Sequence, residues 1–336
     1  MVIKDKLFRP LEYLRISLTD RCNYRCSYCM PKDVFNSNYH YLKRDELLSF
    51  EEIIFFVKSL SKFNINKIRL TGGEPLLRRN IEVLINKLKT EAMIPEIALT
   101  TNGSLLTQKT AETLKKNGLD SVTISLDALD SSINNLINPL SNIKKVVEAI
   151  YIATDVFETV KINVVVMRNI NTKEIISIVD KFKNFNVEIR FIEFMDVGET
   201  NSWNLDKVFS SKKVLDLLST KYKIDKLNKE ENSTADKWKL TNFNAKIGTI
   251  SSISDPFCGS CNRARLSANG IFYTCLFASQ GFNLLETIRT TSNLDLLSQN
   301  IQNIWVNRID QYSYLRKIGK RDSITDSKIE MSYIGG

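Results

Sequence analysis

Six cysteines carry the first chemical information in this 336-residue chain. Cys22, Cys26 and Cys29 lie near the start, Cys258, Cys261 and Cys275 near the end, and none lies between. In the first group three residues separate Cys22 from Cys26, and two separate Cys26 from Cys29. A short loop with that spacing can curl round a cubic iron–sulfur cluster and offer one thiolate to each of three irons. A [4Fe–4S] cluster ordinarily takes four cysteines. Three leave one iron open to a small molecule, and that open iron reads as the reactive centre. A structural zinc site normally needs four ligands, and the single histidine, His40, sits in a polar stretch and reads as a surface residue. The second group again counts to three without a nearby histidine, which favours a second cluster with another open iron. Taken alone, Cys258-Gly259-Ser260-Cys261 would also suit a zinc knuckle or a redox pair.

Charged residues accompany both groups. Between Cys261 and Cys275 stands Asn262-Arg263-Ala264-Arg265. On a strand, Arg263 and Arg265 point to one face, and two guanidiniums side by side make a clamp for a phosphate. The alternative is a solvated edge strand. Gly72-Gly73-Glu74-Pro75 follows a strand pattern. Its glycines permit close backbone approach and its carboxylate suits an ammonium, although by itself the tetrapeptide could be only a turn.

The elements that must position these groups alternate. Leu14–Thr19 reads as a strand and runs straight into the first cysteine loop. Ser49-Phe50-Glu51-Glu52 is a capping box, followed by apolar residues at helical spacing as far as Phe63. Further strands are expected at Lys67–Thr71, Glu96–Thr100, Ser121–Leu126, Lys161–Val166 and Val187–Phe194, with helices between them, among them about 107–117 and 172–185. Six strand–helix units predict a parallel sheet with crossover helices. The fold class expected is α/β, a partial (β/α)6 TIM-type barrel with a C-terminal α+β extension closing the barrel opening; a doubly wound sheet is compatible with the same pattern. The polar motifs all follow strands, where α/β folds carry their active sites. Composition shifts after about Asn204, and the polar stretch from Lys221 to Asp236 reads as a loop or boundary. This gives domains at 1–220 and 221–336. In the second, short strands at Lys246–Ser252 and Arg263–Ala268 precede an Asn269-Gly270 hairpin turn, and helices are expected over about 283–290 and 293–307.

Composition sets the frame. The chain is 43% hydrophobic and 25% charged, enough to bury a large core. No apolar run approaches the roughly 18 residues of a membrane helix, and the first residues lack the apolar region of a signal peptide, so a cytoplasmic location with no membrane partner is expected. The net charge of +9 is spread along the chain. It suits an anionic small molecule at least as well as nucleic acid, and no nucleic-acid partner is expected.

The first cysteine loop, with Tyr28 just before its last cysteine, resembles the signature of the radical S-adenosylmethionine (SAM) enzymes, and Gly72-Gly73-Glu74-Pro75 resembles the motif that holds the SAM amino group. The second triad, Asn262-Arg263-Ala264-Arg265 and the terminal Gly335-Gly336 narrow the resemblance to the GTP 3′,8-cyclase family of molybdenum cofactor biosynthesis, over nearly the whole chain from Arg9-Pro10-Leu11. The resemblance implies two [4Fe–4S] clusters, held by Cys22, Cys26 and Cys29 in residues 1–220 and by Cys258, Cys261 and Cys275 in residues 221–336. It implies SAM contacts from Tyr28, Gly73, Ser125 and Met195, and GTP contacts from Arg15, Arg69, Thr100, Lys161, Arg263, Ala264 and Arg265. Arg15, Arg69 and Lys161 are cations on predicted strands. Buried cations need partners, which a triphosphate would supply; each alone could also be an exposed strand-face cation. The stretch Asp130–Leu140 fits the family least well and is expected to be a local loop outside the ligand motifs.

The reaction implied begins with an external donor, a reduced flavodoxin- or ferredoxin-type protein, whose electron cleaves SAM to a 5′-deoxyadenosyl radical. The radical takes hydrogen from C3′ of GTP, and the carbon radical closes onto C8 of guanine. The product is (8S)-3′,8-cyclo-7,8-dihydroguanosine 5′-triphosphate, destined for cyclic pyranopterin monophosphate synthase. No catalytic side chain is implied, because the cofactors carry the chemistry. The second cluster would hold guanine, the Gly335-Gly336 tail could thread into the pocket, and a homodimer is expected. Two other readings stay open: a radical SAM enzyme acting on a peptide, with the second triad as an auxiliary cluster, and a zinc-stabilised RNA-binding module.

Overall fold

Apolar and polar residues alternate along the strands, and that alternation builds the molecule. The computed structural model describes residues 2–228, 233–319 and 328–335. In β1 (Tyr13–Ser17), Leu14 and Ile16 are fully buried on one face, while Tyr13, Arg15 and Ser17 take the other. The same alternation runs through β2 (Lys67–Thr71), β3 (Glu96–Thr101), β4 (Ser121–Ser125), β5 (Thr159–Val166) and β6 (Val187–Glu193). Their outward set, such as Ile68, Leu99, Val122, Ile162 and Ile189, enters one continuous hydrophobic core. That core packs against the crossover helices α1 (Phe50–Ser59), α2 (Ile81–Thr90), α3 (Gln108–Lys116), α5 (Ile143–Val156) and α6 (Glu174–Phe182), while α4 (Ser131–Ile137) puts Ile133 and Ile137 into a separate small cluster with Met167 and Phe194. The inward set is polar. A parallel sheet with helices on its outer face and side chains filling the inside is a barrel-type arrangement.

Helix α7 (Ser211–Ser219) ends the first half. Then come β7 (Ile224–Lys226), β8 (Asp236–Leu240), β9 (Lys246–Ile250), β10 (Arg263–Leu266), β11 (Ile271–Tyr273) and β12 (Phe282–Asn283). The helices α8 (Leu285–Thr290), α9 (Leu294–Val306), α10 (Tyr312–Lys317) and α11 (Met331–Ile334) follow. All strands belong to one sheet of order β12-β11-β10-β1-β2-β3-β4-β5-β6-β9-β8-β7. The six-stranded core is therefore extended at both edges by the C-terminal segment, β9 running parallel to β6 and β10 parallel to β1. The architecture is the expected partial (β/α)6 barrel with its C-terminal extension.

Differences from the sequence reading have local causes. The first helix stops at Ser59, and a 3-10 turn, Ser61–Phe63, completes the apolar stripe. The segment 172–185 is helical only over Glu174–Phe182. The stretch 130–140 is not a loop: Asp130 caps α4 through the amides of Ser132 and Ile133, and Ile137, four residues after Ile133, is buried. The polar stretch 221–236 contributes β7 and the start of β8, while 229–232 lie outside the described residues.

Candidate active site

The two cysteine groups lie at opposite ends of the barrel. Cys22, Cys26 and Cys29 follow the carboxyl end of β1. Cys258 and Cys261 precede β10, which is parallel to β1 with Tyr13 opposite Arg263. Cys275 follows β11, which returns antiparallel to the same end. A five-residue strand lies between the two ends, about 16 Å at ~3.3 Å per residue. All six cysteines nonetheless line one cavity of about 520 Å³, which is the barrel interior.

The upper loop is seated from two sides. Gly73 N–H donates to Thr19 O and Glu74 N–H to Arg21 O, each at 2.8 Å. A Cβ on Gly73 would stand 2.2 Å from Arg21 O, so glycine is required by the backbone leading into Cys22. Glu74 is buried and accepts from Leu76 N–H, Thr101 Oγ1 and Asn102 N–H. Its carboxylate thus organises the loop with the chain's own donors. Burial pushes its pKa up to about 7 against those hydrogen bonds. On the other side α4 takes part: Ser27 N–H donates to Ile137 O at 2.8 Å and Arg25 N–H to Asn138 Oδ1 at 3.1 Å. Tyr28 donates its hydroxyl to Asp127 at 2.8 Å, and burial raises Asp127 to about 6. Gly73, Ser125 and Met195 line the same upper part of the cavity wall as Tyr28.

Below them the inward faces form a cationic grid. Arg15 stands beside Arg69 on one side and Arg265 on the other, and Tyr13 stands beside Lys67 and Arg263. Arg69 donates to Tyr13, Thr100 and Thr123. Lys67 pairs with Glu96, and Arg190 with Glu188. Arg15 has a buried Nε without a partner. Lys161, buried among Arg190, Lys67 and Arg69, forms no ion pair among the described residues; burial first, then those cations, lower it to about 7, with Glu188 opposing. Burial opposes ionisation of Tyr13, yet Arg69, Arg15 and Lys67 bring its phenol down to about 6. Such crowding is the signature of a site built for a polyanion.

At the lower end Arg263 stacks over Phe257 at 4.8 Å. Arg265 donates to Ile334 O and Gly335 O. Gly335 is buried against Ser17 and Thr71, the last residues of β1 and β2, so the tail reaches the interior at the upper end; Gly336 lies outside the described residues. The side chain of Ala264 faces the hydrophobic core, away from the cavity, and only its backbone could meet a ligand. The other sixteen sequence-predicted site residues line the cavity together. Lys67, Arg190, Asp127 and Asn138 were missed as site residues. Lys67 and Arg190 lie on predicted strands, and Lys67 is two residues from Arg69, so counting by twos would have found it.

The cysteines fit clusters. Burial and Glu74 push the Cys22 thiol up to about 11, and burial with Asp310 pushes Cys275 to about 12. Burial also raises Cys261, but Arg263 and Arg308 outweigh it and bring it to about 6. Amide donors reach two of the sulfurs, Tyr24 N–H to Cys22 at 3.4 Å and Phe277 N–H to Cys275 at 3.5 Å. Among the described residues no three His, Cys, Asp or Glu side chains converge as a single metal ion would need. A cubic cluster asks for one thiolate per iron instead. His40 is exposed. No helix among the described residues is long and apolar enough to cross a membrane.

Residues 16–182 match the Radical SAM superfamily, and residues 187–314 match the family described as Molybdenum Cofactor Synthesis C. The parallel barrel and its three-cysteine loop thus make this a radical SAM enzyme, a class that implies SAM and an iron–sulfur cluster. Over 339 aligned positions the chain is 43% identical to a GTP 3′,8-cyclase of Staphylococcus epidermidis, covering 100% of this chain and 99% of that one. It is 44% identical to the GTP 3′,8-cyclase of Staphylococcus haemolyticus, covering 99% of each. The chain belongs to the GTP 3′,8-cyclase family. Among solved structures, Streptococcus suis SuiB bound to its precursor peptide SuiA superposes with a TM-score of 0.62 at 16% identity, covering 92% of this chain and 67% of that one. That likeness is one of fold.

Proposed function

We propose that the chain converts GTP to (8S)-3′,8-cyclo-7,8-dihydroguanosine 5′-triphosphate in molybdenum cofactor biosynthesis, using two [4Fe–4S] clusters. The observation that carries this reading is the single cavity with a cysteine triad at each end and a cationic grid between them. Cys22, Cys26 and Cys29 would hold the upper cluster, and Cys258, Cys261 and Cys275 the lower. When bound, the clusters and SAM supply the radical chemistry that joins C3′ to C8. The chain's own residues bind and orient. Tyr28, Gly73, Ser125 and Met195 form the SAM wall. Arg15, Arg69, Lys161, Arg263 and Arg265 take the triphosphate and the base, with Thr100 and the backbone of Ala264 beside them. Arg15 Nε, buried and without a partner, is the donor most in need of an anion. Asp127 fixes the Tyr28 ring, and α4 fixes the loop backbone, so the reacting centre is held on strand ends.

On this reading residues 1–220 generate the radical and residues 221–336 select its target. The enzyme works in the cytoplasm as a homodimer, draws electrons from a reduced flavodoxin- or ferredoxin-type donor, and passes its product to cyclic pyranopterin monophosphate synthase. Anaerobic turnover with dithionite, SAM and GTP tests the central claim. Mass spectrometry is expected to find a new nucleotide of GTP's own mass, because ring closure and reduction leave the formula unchanged. Unaltered GTP alongside accumulating 5′-deoxyadenosine would overturn it.

A further inference from the structure

The first ten residues contain a buried ion pair that the proposed chemistry does not use. Asp5 and Arg9 close a tight loop. Asp5 N–H donates to Arg9 O at 3.0 Å, Asp5 Oδ1 accepts from the amides of Leu7 and Arg9, and Asp5 Oδ2 accepts from Arg9 Nε at 2.7 Å. The Asp5 side chain is fully buried, and it also meets Arg308 Nη1 at 3.2 Å. Arg308 comes from the turn after α9 and lies over the Trp305 ring at 4.6 Å, while Trp305 Nε1 donates to Arg9 O. The far ends of both guanidiniums converge on one target. Arg9 Nη1 donates to Cys258 O at 2.8 Å, and Arg308 Nη1 donates to Cys261 O at 2.7 Å. Arg9 Nη1 also donates to Asp310 O, and Arg308 Nε to Asp310 Oδ2. Two residues of the lower triad, separated by one short 3-10 turn, are thus gripped from behind by two arginines that share one carboxylate.

We propose that Asp5, Arg9 and Arg308 form a buried ionic latch that positions the Cys258–Cys261 turn, making the N-terminal segment a working part of the lower cysteine site. This rests on the reading of that site as a cluster. A purely stabilising pair needs no common target, whereas here each arginine also donates its Nη1 to a cysteine carbonyl. Partners behind the ligands commonly orient a metal site and tune it, and a cluster's potential follows nearby charge and hydrogen bonding. Asp5 holds the two like-charged guanidiniums together, so it governs both grips at once.

The test uses the holoenzyme purified anaerobically, with Asp5→Asn, which keeps shape and removes charge, and Arg308→Lys, which keeps charge and removes the fork. The unaltered chain is expected to carry about eight irons, two clusters of about four. Asp5→Asn, which loosens both grips, is expected to lose about half of that iron, all of it from the lower site, while SAM cleavage to 5′-deoxyadenosine continues; Arg308→Lys is the milder variant and is expected to keep its lower cluster. In a Cys22→Ser/Cys26→Ser/Cys29→Ser background the lower cluster is read alone, and the milder variant is expected to shift its midpoint potential and its electron paramagnetic resonance spectrum. Variants that keep the full iron with an unchanged potential and spectrum overturn the latch. Equal loss from both sites also overturns it, in favour of a general contribution to folding. An unaltered chain with about four irons overturns the two-cluster reading itself, and the latch with it.

Discussion

Binding of GTP should take up a proton on Lys161. In the free protein, burial and the neighbouring Arg190, Lys67 and Arg69 lower this lysine from 10.5 to about 7. A triphosphate among those cations reverses the balance and returns the ammonium towards its ordinary range. At pH 7 the free lysine is then about half protonated, so binding takes up about 0.5 proton, rising to about 0.9 at pH 8. Between pH 6 and pH 8 the dissociation constant should rise about tenfold from this group, about 1.4 kcal/mol. Tyr13, held near 6 by Arg69, Arg15 and Lys67 against its burial, would add its own uptake, so Tyr13→Phe serves as the parent. The γ-phosphate also titrates near pH 6, equally in every variant. Calorimetry in two buffers of different ionisation enthalpy counts the protons, and Lys161→Met in the Tyr13→Phe parent should remove the lysine's share and leave the phosphate's. Equal proton uptake with and without Lys161 would refute the reasoning.

Three further outcomes are expected. Cys258→Ser or Cys275→Ser should abolish the cyclised nucleotide while 5′-deoxyadenosine still forms, because the two triads stand at opposite ends of the cavity; liquid chromatography of both products decides. Gly73→Ala should lower SAM cleavage by orders of magnitude, with GTP affinity kept, since its Cβ would stand 2.2 Å from Arg21 O at the entry to the cysteine loop; calorimetry with GTP and product analysis separate the two. Asn138→Leu removes the acceptor of the part-buried amides of Arg25 and Leu140, at about 1–3 kcal/mol in all; denaturant unfolding should register the loss, and the upper-site iron should fall before the lower.

Much of the fold was legible because alternation is local. Each strand of the first six writes its inward and outward sets by period two, and Leu14, Arg15 and Ile16 already say which side meets helices. The pairing of β10 with β1 and of β9 with β6 was not legible, because contacts 250 and 58 residues apart leave no periodic trace. Arg263 and Arg265 could be put on one face from sequence, but their neighbours Tyr13 and Arg15 come from sheet order alone. The segment 130–140 shows a different limit. Its Asn and Ser content argues for a loop by propensity, yet Asp130 supplies a cap and Ile133 and Ile137 a stripe, and the tertiary fit prevails. Gly72 and Gly73 line the cavity, and they also make room for the Thr19–Cys22 backbone, a second requirement that depends on which segment lies opposite.

The barrel divides stability from function by face. Outward residues such as Leu14, Ile68, Leu99 and Ile162 are fully buried, each contributing about 1.5–3 kcal/mol by leaving water. The inward face does the reverse. Arg15, Lys161 and Arg265 are held where burial and like charge both disfavour them, beside Arg69 and an Arg190 that pairs with Glu188. A chain selected for stability alone would place apolar residues there, since replacing buried charge by packed hydrocarbon is often stabilising. The apolar outer face tolerates that inner arrangement, and an incoming polyanion relieves it. Arg15 Nε is buried without a hydrogen-bond partner and Lys161 forms no ion pair among the described residues, so on the proposed reading the triphosphate gains most in the middle of the barrel. On that reading one end of the substrate's path makes the radical and the other chooses the base, with the spacing between them set by the length of β1.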